Sequence, residues 1–216
     1  MRYSIDSILN QTFTDFELII ADNASTDSTQ DICEEYARKD SRVRYFRNDQ
    51  NMGAPWNFNY TYKLSRAEYF KWSGHDDYIY PTFLEVCLNS LKEREKDGYV
   101  SCWPNTEIIN GKGEVTSKVV EPEMRLESDK PSQRFRDAGY LIHSSFQFYG
   151  VIRSDILKNT CLLGQWISSD YTMLGQLALL GKSYQHPEFL FKRRQHETNS
   201  YESCGKDFYT YAKFWS

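Results

Sequence analysis

Residues 16–21, FELIIA, form a near-continuous apolar run with no polar alternation. That is the pattern of a strand covered on both faces, as in a parallel sheet. A parallel neighbour can be reached only through a crossover, usually a helix. The chain supplies one: the polar turn Asp22-Asn23-Ala24-Ser25-Thr26-Asp27 is followed by Ile32, Cys33, Tyr36 and Ala37 on one face of a helix over residues 28–39. Residues 43–46 read as a second short strand, and Asn51-Met52-Gly53 breaks the chain before an aromatic-rich helix, APWNFNYTYKLSRA. Tyr69, Phe70 and Trp72 then mark a third buried strand. Strand and helix in repeated alternation predict an α/β fold, a mixed and mainly parallel sheet flanked by helices. Ahead of all this, Tyr3, Ile5, Ile8 and Leu9 lie close to helical spacing, so the chain opens on a helix.

The second half has another grammar. Residues 99–109 and 115–120 flank Asn110-Gly111-Lys112-Gly113, a hairpin signal, so antiparallel strands are expected there. A helix is predicted over residues 132–141, an aromatic strand over 146–152 (FQFYGVI) and a short helix over 154–158. Met173, Leu174, Leu177 and Leu180 form the apolar stripe of a helix that starts at Ser168-Ser169-Asp170 and stops at Gly181. A last strand covers residues 184–194.

The third strand stops at Ser73-Gly74-His75 and runs directly into Asp76 and Asp77, before Pro81 opens another helix. Two adjacent carboxylates therefore sit in a strand-to-helix turn, where open α/β sheets place ligands. A solvated turn with a capping Asp explains the pair by itself. A divalent cation with bound phosphates explains it chemically, because like charges held together call for a cation between them.

Composition narrows the choice. A net charge of −4 leaves no basic footprint for nucleic acid. Five cysteines, odd in number and without C-x-x-C spacing, read as reduced thiols of a cytoplasmic protein, not as a disulfide framework or zinc site. No apolar run reaches the roughly 20 residues that cross a bilayer, which leaves peripheral membrane contact as an expectation only.

Four segments in order, FELIIADNASTDST, NMGAPWNFNYTY, YFKWSGHDD and SSDYTMLGQLALLGKSYQHPEFLFKRRQH, resemble the family 2 glycosyltransferases, inverting nucleotide-sugar enzymes of the GT-A fold. The similarity runs from about Ile5 to His196. It implies a nucleotide-sugar donor, by family habit a UDP-sugar, a glycan or lipid-linked acceptor, and a divalent cofactor, Mn2+ or Mg2+. It implies that Asp22, with Asn23, reads the nucleotide base, that Asp76 binds ribose, that Asp77 and His196 hold the metal, and that Asp170 is the catalytic base. Residues 1–98 would then form the donor part, 99–196 the acceptor side of the same domain, and 197–216 a tail. The family pattern also has an apolar strand ahead of the opening helix, which this sequence lacks. Two other readings stand beside the transferase: a non-catalytic remnant or partner subunit that binds nucleotide weakly, and a nucleotidyltransferase, against which the lack of a glycine-rich basic loop argues. Trp56 and Tyr60, at i and i+4, are expected to pack together, and His75 to orient its acidic neighbours.

Overall fold

The computed structural model describes residues 1–120, 125–141 and 144–195. The FELIIA run becomes β1 (Leu18–Asp22), and the helix after it, α2 (Thr29–Lys39), carries the chain to β2 (Val43–Arg47). The pair is parallel, in register from Leu18 opposite Val43 to Asp22 opposite Arg47. Gly53, at φ 82°, lets the chain turn into α3 (Ala54–Leu64), with Pro55 in its first turn. As expected, Trp56 and Tyr60 stack, with ring centroids 4.9 Å apart.

The remaining strands make a second, six-stranded sheet. Its path runs β3 (Tyr69–Phe70), β7 (Val151–Arg153), β5 (Tyr99–Ile109), β8 (Lys182–Arg194), β4 (Tyr78–Ile79), with β6 (Val115–Val119) on β5 beyond the Asn110 turn. The sheet is mixed: β5 and β8 run parallel along their whole length, and the other pairings are antiparallel. Helices α4 (Phe83–Glu93), α5 (Pro131–Leu141), α6 (Ser154–Leu157) and α7 (Ser169–Leu180) complete the chain after the opening helix α1 (Arg2–Leu9). Two apolar clusters form its core. One joins Phe70, Trp72, Phe148 and Ile152 to the stripe of α7, with Trp72 and Phe148 stacked at 4.6 Å. The other packs Phe83, Cys87 and Leu91 of α4 against Cys102, Phe146 and Phe191.

Two expectations change. The strand expected over residues 146–152 is a 3-10 turn, Phe146–Tyr149, followed by the short β7. Phe148 N–H bonds Ser145 O and Gly150 N–H bonds Gln147 O, and the turn sends Phe146 and Phe148 into different clusters. Aromatic richness reported burial, which a turn provides as well as a strand. Secondly, β1–β2 does not join β3 into one sheet. Between them lies a cavity of about 1410 Å³, lined by Leu18 and Ile20 on one side, Phe70 and Trp72 on the other, and Ile5 and Leu88. Helix α1 bridges its mouth to the acidic turn: Ser4 Oγ donates to Gly74 O at 2.9 Å, and Gln11 donates to Tyr80 O at 2.7 Å.

Candidate active site

The acidic turn lies between two strands, β3 and β4, not in the strand-to-helix turn expected, because Tyr78 and Ile79 pair with β8 before α4 begins, and the end of β8 locks the turn in place. Asp77, 3 % exposed, accepts from Arg193 Nη1 at 2.6 Å through Oδ2 and from the Arg194 N–H at 3.0 Å through Oδ1. Arg194 also donates from Nε to Asp76 O at 3.0 Å and from Nη1 to Asn110 O at 2.9 Å. Asp77 is held away from water, where a lone carboxylate would be very costly, while the Arg193 side chain keeps 28 % of its surface exposed. Burial raises the Asp77 pKa, while Arg193 and the Arg194 N–H pull against it. Burial pulls Arg193 down in turn, but Tyr149, Asp77 and Asp76 more than compensate and hold it above the ordinary arginine value. Arg193 and Arg194, which no motif of the sequence singled out, are the clamp of this site.

Tyr149 closes the floor. Its hydroxyl lies 3.2 Å from Arg193 Nη1, its ring stacks on Phe191 at 5.4 Å, and its pKa rises to about 12, first by burial and then through Asp77, Asp76 and Asp170. Asp170 thus lies within electrostatic reach of the same tyrosine. Asp170 stands in the first turn of α7, after Ser168 in the left-handed region at φ 60°. Burial raises its pKa, opposed in part by a hydrogen bond from the Ser145 side chain and by the Tyr171 N–H. A carboxylate that holds its proton more tightly than usual is suited to general-base work. Tyr149 escaped the sequence reading because FQFYG looked like strand, and Ser145 because it precedes that run without a motif of its own.

Asp76 is 16 % exposed at its side chain, with His75 Nδ1 3.9 Å from its Oδ1, beyond hydrogen-bond reach. Gly74 admits the acids closely: a Cβ there would stand 2.5 Å from Asp77 Oδ2. Among the described residues no group of three His, Cys, Asp or Glu could hold a metal by itself. A divalent ion sharing its shell with a diphosphate needs only one or two carboxylates, so Asp76 and Asp77 fit that smaller demand. His196 lies outside the described residues.

Asp22 sits at the other end of the large cavity. Its carboxylate, fully enclosed, takes Arg47, the Tyr45 hydroxyl at 2.9 Å and the Ser25 N–H at 2.8 Å. Burial pushes its pKa up, but hydrogen bonds from Ser25, Tyr45 and Arg47 outweigh burial and keep it low. Asn23 is equally occupied, donating to Asn51 Oδ1 at 2.6 Å and accepting from Asn48 Nδ2 at 3.0 Å and the Met52 N–H at 2.9 Å. The Asp22 side chain fastens the turn to β2, and that of Asn23 fastens it to the loop after β2. The base-reading role implied for them therefore meets groups already engaged. The cavity reaches Asp22, Asn23, Gly74 and His75, but Asp76, Asp77 and Asp170 do not line it.

The sequence profile described as Glycosyl transferase family 2 matches residues 1–160. The chain belongs to that family. Its fold is GT-A: it superposes on the S. aureus protein TarS, residues 1–349 in complex with UDP, with TM-score 0.68 and 21 % identity, covering 94 % of this chain and 59 % of that one. An uncharacterised glycosyltransferase of Rickettsia typhi is 30 % identical over 220 residues, which is 100 % of this chain and 66 % of the relative. A GalNAc(5)-diNAcBac-PP-undecaprenol beta-1,3-glucosyltransferase of Campylobacter jejuni is 25 % identical over 195 residues, 89 % of this chain and 60 % of the relative. The chain thus spans less than two thirds of the length of these proteins. The profile match ends before Asp170, so in this family 2 chain the placement of that residue rests on the geometry around it. No helix among the described residues is long and apolar enough to cross a membrane.

Proposed function

We propose that the chain transfers a sugar from a nucleotide-sugar donor, a UDP-sugar, to a glycan or lipid-linked acceptor with inversion at the anomeric carbon. The observation that carries the reading is that Asp76, Asp77 and Asp170 all lie within electrostatic reach of one half-buried tyrosine, Tyr149, whose hydroxyl also meets Arg193 of the clamp. Inverting transfer asks for two separated electrostatic tasks, neutralising a leaving diphosphate and taking a proton from the attacking hydroxyl. Asp170 takes the proton. Burial, which raises its pKa, makes it a stronger base than an exposed aspartate. Asp76 and Asp77 would hold the divalent ion, with His196 as a third candidate, and Asp76 is also the candidate for the ribose. When bound, such an ion supplies Lewis-acid neutralisation of the diphosphate. Because Arg193 already engages Asp77, Asp76 is the more accessible carboxylate, and Asp77 with Arg193 and Arg194 sets the angle at which the turn presents it. Asp22 and Asn23 shape the wall on which the base rests. The relative named for a beta-1,3-glucosyltransferase acting on an undecaprenol-linked glycan, and the UDP complex of TarS, support donor and acceptor of these classes.

Calorimetry with UDP, with and without manganese, tests donor binding. Product analysis by NMR tests the stereochemistry, for which inversion is expected and retention would overturn the mechanism. Asp170→Asn should abolish transfer with UDP binding kept. The wild-type rate should climb as pH rises through the elevated Asp170 value, because the base works only when ionised. The cavity between β1 and β3 favours a second reading, a non-catalytic partner that holds nucleotide weakly or not at all, and no heat of UDP binding in either condition would select it.

A further inference from the structure

The loop that enters α7 holds a feature that the donor chemistry does not use. Trp166 is 50 % exposed, four residues before Asp170 and hence within roughly 14 Å of it along the chain. Single exposed apolar residues are common and by themselves mean nothing. This one is mounted. A Cβ at Gly164 would stand 1.9 Å from Trp166 Cζ3 and 2.0 Å from Cη2, so the indole lies directly against the Gly164 backbone, where a side chain would displace it from this position. The loop beneath it is clamped from two helices: Asn59 of α3 donates to Leu163 O at 2.7 Å and accepts from the Leu163 N–H at 3.1 Å, and Gln176 of α7 accepts from the Cys161 N–H at 2.7 Å. Leu163 is buried in the core, and the non-glycine residues Leu162 (φ 55°) and Ser168 (φ 60°) bracket the segment in the left-handed region. Backbone strain of this kind persists only where the surroundings enforce it. Here they hold one half-exposed indole on the short loop that leads into the candidate base.

We propose that Trp166 is an acceptor-sugar platform, its ring stacking on the apolar face of a pyranose whose hydroxyl is directed toward Asp170. The proposal rests on the transferase reading and adds the subsite that positions the acceptor. A rigid aromatic surface suits a ligand with one C–H face and one hydroxylated rim. Gln165 and Ser168, both exposed on the same loop, offer hydrogen bonds to that rim.

The test uses the full chain with two defined probes, cellobiose and N,N′-diacetylchitobiose, read by saturation-transfer NMR in wild type, Trp166→Ala and Trp166→Phe. At least one probe should receive saturation on its ring protons from wild type. The Ala variant should weaken that binding about 5-fold, the Phe variant less, as expected for one stacking contact. UDP affinity should be equal in all three proteins. Unchanged saturation in the Ala variant overturns the proposal, and so does the absence of saturation from either probe in wild type. Circular dichroism identifies an unfolded Ala variant, in which case Trp166→Gln, which keeps bulk without the ring, decides: weakened saturation with a native spectrum supports the platform, and wild-type saturation overturns it. UDP silence in every variant with the sugar signal intact removes the transferase reading and leaves the platform.

Discussion

The two sheets are built from strands of similar apolar character and end up in opposite conditions. In β5 nearly every residue is buried, whereas in β1 the apolar Leu18–Ala21 are only half-buried and the single buried residue is the charged Asp22. The six-stranded sheet has helices and clusters on both faces. The two-stranded sheet has α2 and α3 on it, and then a cavity of about 1410 Å³. A strand's composition therefore sets what it could bury, and its neighbours decide what it does bury. The same contrast holds for the acids: Asp77 is tied by arginines from the end of β8, Asp22 by Arg47 of its own small sheet.

The contrast breaks most sharply at the ion pair. Asp77→Ala should cost about 3–5 kcal/mol in denaturant unfolding, since it leaves Arg193 in a low-dielectric site without its partner. A cost below about 1 kcal/mol would mean that the clamp does not hold the turn. Next comes packing. Ile152→Ala, at 0 % exposure in the large sheet, should cost about 2–5 kcal/mol. Ile19→Ala in β1 should cost about 1 kcal/mol, because its side chain is only partly removed from water. Equal costs would erase the distinction between the sheets. Hydrogen exchange sharpens it further: amides of β1 and β2 should open with a smaller free energy than those of β5 and β8.

The smallest effect lies at Lys71, which lines the cavity wall. Its ammonium donates to Trp72 O at 2.8 Å and Ser73 Oγ at 3.0 Å and sits over the Phe83 ring. Burial lowers its pKa to about 8, against the pull of Asp77. The unfolded chain then binds more protons than the folded one between about pH 8 and the ordinary lysine value, so this group makes stability rise with pH in that window. Lys71→Met should be more stable than wild type at pH 7, and the difference should shrink by up to roughly 1 kcal/mol per pH unit above pH 8. A difference that stays constant with pH would show that Lys71 is solvated.

Much of this could be read along the chain. The period of FELIIA, the turn after it and the stripe of α7 are local patterns, and each became the element it predicted. Asp76-Asp77 at a strand end and Asp170 at a helix start were visible for the same reason: residues a few positions apart share a turn. What only the tertiary structure decided is which distant groups meet. Arg193 lies 116 residues from Asp77, and Asn59 lies 104 from Leu163. Asp22, which looked in sequence like an open ligand at a strand end, is closed by Tyr45 and Arg47 across a crossover. Periodicity encodes the face a side chain occupies, but occupancy of that face depends on which strands become neighbours, and that is settled by packing the whole chain at once.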